Sequence, residues 1–366
     1  MIPSGIIQRR LISQRLARGG AKSKNPGAVV QWLAAVQAQD YAGAKWAVGM
    51  RLPGSTDADV EAAFNRGTIL RTHVLRPTWH FVAPADIRWL LALTAPRVHA
   101  ANAHMYRKLD LDARICRRSD ATLSKALEGG QHLTRAELRT VLQRHGIATG
   151  EERMAYLVMH AELEGVVCSG PRRGKQFTYA LLEERVPAIK AITRDEALRE
   201  LAGRFFTSRG PATVQDLAKW SGLTVADARR GVESAKRRLE HEVIDGTTYW
   251  YADSKRRTVG TRAPAAHLLS IYDEYICSYR EGSAIIGAGH TARRSGTGES
   301  GLYIAVVNGG VVGRWSRTFA KGRLAVRIHL YHRLRRAAHR AVKASAKKFG
   351  AFMQMPIELQ VSEPDF

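Results

Sequence analysis

Thr213-Val214-Gln215-Asp216-Leu217-Ala218-Lys219-Trp220-Ser221-Gly222-Leu223-Thr224 reads as a short helix, a glycine turn and the start of a second helix. Thr213 and Asp216 stand at the N-cap and N3 positions of a capping box. A long helix, Arg194–Thr207, precedes the stretch, and strands near Glu242–Ala252 follow it. The same order occurs twice upstream. Thr134 and Glu137 form a capping box opening a helix, Glu151–Leu163 is a second helix, and Val166–Leu181 fits two strands around the basic turn Ser169–Gly174. Nearer the start, Ile6–Ala17 is helical by period. Asn25-Pro26 supplies a cap and a first-turn proline for a helix to about Val36, Thr56–Asn65 is another, and Ile69–Val82 reads as strands.

Helix–turn–helix followed by a β-hairpin is the winged-helix arrangement. Three in series predict an α+β chain, mainly helical, with units at 1–115, 116–190 and 191–260. Beyond residue 260 the pattern changes. Leu302–Val307 and Val311–Trp315 flank Asn308-Gly309-Gly310, where Asn-Gly supplies the positive φ angles of a type I′ turn. Strands near Leu324–Leu330 lead to a helix, His332–Phe349, stopped by Gly350. Residues 261–366 are thus expected to add strands, a hairpin and a basic helix that complete a cleft.

Charge narrows the function. Across 366 residues, 57 Lys+Arg against 33 Asp+Glu leave +24. Such a balance is the electrostatic footprint of a nucleic-acid binder. Twelve of the basic residues fall between Arg314 and Lys348. Arg333, Arg336, Arg340, Lys343 and Lys347 follow i, i+3, i+7, i+10, i+14, one stripe on one helix face suited to a phosphate backbone. With Asn308, Gly309, Arg314, Arg317 and Arg323 they form the expected DNA-binding set. No stretch approaches the ~20 apolar residues of a membrane span, and the N-terminus lacks the apolar core of a signal peptide. A cytoplasmic protein without membrane contact is expected.

Metal and cofactor chemistry find no support in the spacing. Cys116, Cys168 and Cys277 are scattered, and the close pair His329 and His332 lacks further ligands. Gly296–Gly301 matches G-x-G-x-x-G without the flanking strand and helix, so it reads as a loop. No metal and no cofactor are expected. One constellation remains, Gln37-Ala38-Gln39-Asp40-Tyr41. In an extended segment Gln37 and Gln39 share a side while Ala38 faces the core; on a helix they would diverge. Asp40 points the other way and reads as structural.

The run Trp32–Ala47, centred on that constellation, resembles the signature of winged-helix DNA glycosylases of the AlkZ/YcaQ type. Arg71-Thr72-His73-Val74-Leu75-Arg76-Pro77-Thr78-Trp79-His80-Phe81-Val82 and Leu268-Leu269-Ser270-Ile271-Tyr272-Asp273-Glu274-Tyr275 resemble it too, and with the Val307–Trp315 hairpin the likeness covers nearly the whole chain. The resemblance implies a C-shaped array of three winged helices with DNA in the concave face, and a catalytic glutamine–hydrophobe–glutamine motif at Gln37, Ala38 and Gln39. The YcaQ branch carries Asp at the second catalytic position, so Gln39 places this chain on the AlkZ side. The implied activity is that of a monofunctional DNA glycosylase. It would act as a monomer on N7-alkylated guanine in double-stranded DNA and unhook interstrand crosslinks. N7-alkylation makes the base cationic, so departure needs no protonation, and an amide can orient water or face the developing sugar cation. The competing reading is a non-catalytic winged-helix transcription regulator. Such proteins usually carry one unit per chain and dimerise on half-sites.

Overall fold

The computed structural model describes residues 4–17, 23–252, 263–280, 303–320 and 322–364. After α1 (Ser4–Ser13), one connectivity is used three times. In its first use, α2 (Pro26–Leu33), β1 (Ala35–Gln37), α3 (Tyr41–Met50), α4 (Asp57–Asn65), β2 (Leu70–Val74) and β3 (Arg76–Val82) form a sheet of order β1-β3-β2. A long helix, α5 (Pro84–Lys108), leads to the second: α6 (Ala113–Leu127), β4 (Leu133–Thr134), α7 (Arg135–Arg144), α8 (Glu151–Leu163), β5 (Val167–Ser169) and β6 (Thr178–Leu181), with order β4-β6-β5. After the single turn α9 (Leu182–Arg185), the third comprises α10 (Arg194–Arg209), α11 (Val214–Ser221), α12 (Val225–Ala235), β7 (Leu239–Ile244) and β8 (Thr247–Ala252). Its first strand has shrunk to a bridge between Ala212 and Trp250. In each unit the last strand lies in the middle of the sheet.

Local chemistry sets these starts. Thr56, Thr134, Thr193 and Thr213 each complete a reciprocal capping box with an acid three residues on. Each satisfies orphan helix donors and is worth about 0.5–2 kcal/mol.

The remainder is a five-stranded sheet of order β13-β12-β11-β10-β9. Its strands are β9 (Ala266–Leu269), β10 (Tyr303–Val307), β11 (Gly310–Ala320), β12 (Arg323–Leu330) and β13 (Ile357–Ser362); α13 (Glu274–Cys277) follows β9, and α14 (Arg336–Met353) crosses from β12 to its parallel neighbour β13. Asn308 (φ 51°) and Gly309 (φ 86°) give the hairpin turn its two positive φ angles.

Several boundaries differ from the sequence reading. The first helix ends at Ser13, not Ala17. The 115/116 division cuts through α6, and the 260/261 division and the Gly296–Gly301 segment lie outside the described residues. The last helix starts at Arg336, so Arg333 precedes it. It also runs through Gly350 to Met353, with Gln354 in the left-handed region as its cap. Gly350 is needed for packing: a Cβ there would collide with Ile357 of β13.

Among the described residues, three large apolar cores hold most of the molecule, with two small clusters beside them. One joins the first unit's sheet (Leu70, Val74, Val82) to α5 and to α10–α12 of the third unit, through Leu198, Phe205, Phe206 and Trp220. A second packs α2–α4 against the C-terminal sheet and α14. The second unit closes its own, from Leu111 to Leu181.

Candidate active site

Helix α2 ends abruptly. Ala34, at φ 60°, turns the chain straight into β1, earlier than the helix end expected near Val36. That single residue lets Gln37 pair with His80 of β3. Ala38 N–H then donates to the Trp79 carbonyl at 2.7 Å. Gln37 is buried, Ala38 fully so, and Gln39 exposed. The strand ends at Gln37 and the chain bends at Gln39, so one amide sits in the wall of the fold and the other at its surface, not the even alternation of an extended segment.

Residues of the Arg71–Val82 stretch surround both amides. Arg76 Nη2 donates to Gln37 Oε1 at 3.0 Å, and the Trp79 backbone N–H lies 3.4 Å from Gln39 Oε1. Both partners are donors only, so each carboxamide turns its oxygen inward. Among the described residues, neither amide nitrogen meets an acceptor. Arg71 holds the intervening Ala38 carbonyl through Nε at 3.1 Å. Its guanidinium also lies 4.2 Å from the Trp79 ring centroid, with His73 on the same indole at 4.4 Å. Burial, with Arg76 adding, pulls His80 down to about 3. Its imidazole is therefore neutral: Nδ1 reaches the Thr78 carbonyl at 2.9 Å, and Nε2 faces Arg76 at 3.4 Å.

Beneath the pair lies a buried charge network. Gln37 N–H donates to Glu274 Oε1 at 2.8 Å. Glu274 Oε2 accepts from Arg209 Nη2 at 2.6 Å, Trp220 Nε1 at 2.8 Å and Ser278 Oγ at 3.2 Å. Arg209 returns to the strand, donating to the Leu33 and Ala35 carbonyls at 2.8 and 3.0 Å. Burial alone would raise Glu274, but Arg209, with the Gln37 N–H adding, holds the carboxyl below its usual range. The adjacent Asp273 forms a second buried pair with Arg51, at 2.8 Å to each guanidinium nitrogen. Asp40 caps α3 through Gly43 N–H and accepts from the Tyr303 hydroxyl. Among the described residues, the carboxylates beside the glutamines, Glu274 and Asp40, are both engaged.

Arg71, Arg76, Trp79, His80 and Glu274 all sit in stretches singled out by resemblance, yet sequence alone assigned them no role. Arg209 and Trp220 carried no signal, being brought in by the shared core. Among the described residues the one His/carboxylate triad with metal-ligand spacing lies elsewhere, at His99, His160 and Glu164.

The expected DNA-binding residues divide into two groups. Arg333, Arg336, Arg340, Lys343 and Lys347 are exposed and, among the described residues, meet no carboxylate. Arg314 and Arg323 lie on the open face of the C-terminal sheet. Arg317 instead turns inward, its Nη2 donating to the Tyr303 hydroxyl at 3.0 Å. Of the hairpin turn, Asn308 is exposed and Gly309 is covered. Asn308 Oδ1 accepts from Ala265 N–H at 3.0 Å, and Gly309 is buried beneath Ile7 of α1, its carbonyl taking the Tyr275 hydroxyl at 3.0 Å. The type I′ signal located the turn correctly, but its packing removes Gly309 from the contact set.

Residues 30–352 match the family model described as "DNA glycosylase AlkZ-like". A Streptomyces sahachiroi protein named "Interstrand DNA cross-link repair glycosylase" is 24% identical over 303 residues, covering 78% of this chain and 81% of the relative. The solved structure of Streptomyces sahachiroi DNA glycosylase AlkZ superposes with a TM-score of 0.74 at 20% identity, covering 97% of this chain and 98% of the other.

Proposed function

The chain belongs to the AlkZ-like family of DNA glycosylases, and on that premise we propose that it removes N7-alkylated guanine from double-stranded DNA, including guanine tethered in interstrand crosslinks. The observation that carries this reading is the pair of carboxamides at Gln37 and Gln39 with, among the described residues, the nearby carboxylates Glu274 and Asp40 both engaged. A glutamine cannot serve as a strong base. Such a site suits a leaving group that is already cationic, where the barrier is sugar-cation development and delivery of water. The remaining lone pair on each Oε1 and the outward NH₂ groups are then the groups available to hold that water or the sugar. Neither amide can form a Schiff base, so the reaction stops at the abasic site.

The three repeated units are read as winged helices, because each carries helix, strand, helix, helix and two strands with the last strand central. They are proposed to form a C-shaped array, with DNA in its concave face and the stripe Arg336, Arg340, Lys343 and Lys347 on its phosphates. Gln39 stands at the surface, which fits a crosslinked base that cannot flip into a closed pocket. The protein acts as a monomer in DNA repair or self-resistance. Incubation with duplex containing N7-methylguanine, then alkali to cut abasic sites, tests the reading. Cleavage at the lesion supports it, and intact DNA with every N7-alkylated substrate overturns it. A crosslinked duplex in the same assay tests unhooking.

A further inference from the structure

Away from the glutamine site, α5, α6 and α8 meet in a cluster of ionisable side chains. His99 comes from α5, His160 from α8 with Glu164 at that helix's end, and Cys116 and Asp120 from α6. One donor atom each from His99, His160 and Glu164 lies within 4.8 Å of the other two. His99 Nε2 is 2.9 Å from Glu164 Oε1, and His160 Nδ1 is 3.0 Å from Asp120 Oδ2. Despite those short approaches, His99 Nε2, His160 Nδ1 and Asp120 Oδ1 are buried and make no properly directed hydrogen bond. A buried polar atom left so costs about 1–3 kcal/mol, and His99 Nε2, beside Glu164, therefore calls for a partner.

We propose that His99, His160 and Glu164 form a structural zinc site that ties α5 to the second unit. The donor set is two imidazoles and a carboxylate, which zinc accepts at about 2.0–2.2 Å. Donors at that range stand roughly 3–3.4 Å apart, close to the His99–Glu164 spacing. His160 and Glu164 are four residues apart and share one face of the helix end. The Tyr106 hydroxyl lies 2.8 Å from His99 Nδ1. With Nδ1–H donating to that oxygen, Nε2 carries the lone pair, the supporting contact metal-bound histidines usually have. Asp120 takes the same supporting role beside His160. A groove of about 360 Å³, lined by Arg88, Leu91, Pro96, His99 and Glu164, gives a metal its way in.

The site would cross-brace α5 against α8 beside the small apolar cluster of Ala95, Val98 and Leu163 that already joins them.

The test uses the full chain stripped with chelator and dialysed, then titrated with zinc chloride by calorimetry. Metal content is measured after gel filtration, alongside thermal unfolding. About one equivalent should be retained with a raised Tm. Zinc affinity should fall at least ~10-fold in His99→Gln and in His160→Gln. Tyr106→Phe, which leaves all three ligands, should weaken binding less. The site is overturned if wild type retains no more zinc than a folded His99→Gln, His160→Gln double variant. A Tm unchanged by zinc at full occupancy would overturn the structural role.

Discussion

The backbone nitrogen of Gln37 donates to Oε1 of Glu274 at 2.8 Å, joining residues 237 positions apart. One glutamine of the proposed site is thus held through its main chain by an acid that never faces the substrate side. The side chain is held separately, by Arg76. Positioning and chemistry can therefore be tested apart.

Chemistry first: Gln37→Ala and Gln39→Ala should each lower excision of N7-methylguanine by ~10²–10³. DNA affinity should stay near wild type, because the proposed contacts act mainly in the transition state. Gln39→Asp should retain activity, since a carboxylate can still orient water. Single-turnover rates beside binding isotherms decide it, and equal excision by the double alanine variant would remove both residues from catalysis.

Arg76→Ala should free the Gln37 carboxamide without touching its backbone. Misplacing a catalytic group by about 1 Å costs ~10²-fold. The expected result is a loss of that order in excision rate, read in single turnover, with thermal stability changing less than in the next variant.

Glu274→Gln should be mainly a stability mutant. It leaves Arg209 buried without its counter-charge, a change that costs about 3–5 kcal/mol. Urea unfolding followed by circular dichroism measures this directly.

His80 should give stability a pH dependence of known sign. Its pKa is about 3 in the fold, against ~6.5 unfolded. Below pH 6.5 the unfolded chain takes up a proton that the native state refuses. Its contribution is therefore full above 6.5 and is lost as pH falls toward about 3. In that window His80→Phe should reduce the slope of unfolding free energy by up to one proton, about 1.4 kcal/mol per pH unit.

Neutralising Arg336, Arg340 and Lys343 together should weaken binding to all duplex sequences alike and flatten its salt dependence. Unchanged binding over a salt series would make the stripe a solvated face only.

What the sequence made legible was local. The capping boxes at Thr134 and Thr213 and the Asn308-Gly309 turn are decided within four residues, and each was found where its motif placed it. The long helix α5 escaped because Pro96 interrupts its pattern, yet the helix continues through it. The parallel β12–β13 pair escaped because its register is set only after α14 has crossed over. Gly350 was misread because a glycine required by a neighbour's side chain looks, in sequence, like a helix stop. The Gln37–Gln39 pair was visible as a spacing. Its supports, Arg209, Trp220 and Glu274, meet only when two distant units share a core.

That shared core has a consequence for how the chain is made. The apolar residues of the first unit, Leu70, Val74 and Val82, pack with α10–α12, whose last core residue, Ala235, emerges far later. At ~5–20 residues per second, the ribosome leaves that face waiting roughly ten to thirty seconds. The second unit, finished in the interval, needs nothing that follows Leu181 for its own core. The nascent chain is therefore expected to fold out of order, middle first, with its Gln37–Gln39 segment exposed to chaperones until the third unit arrives.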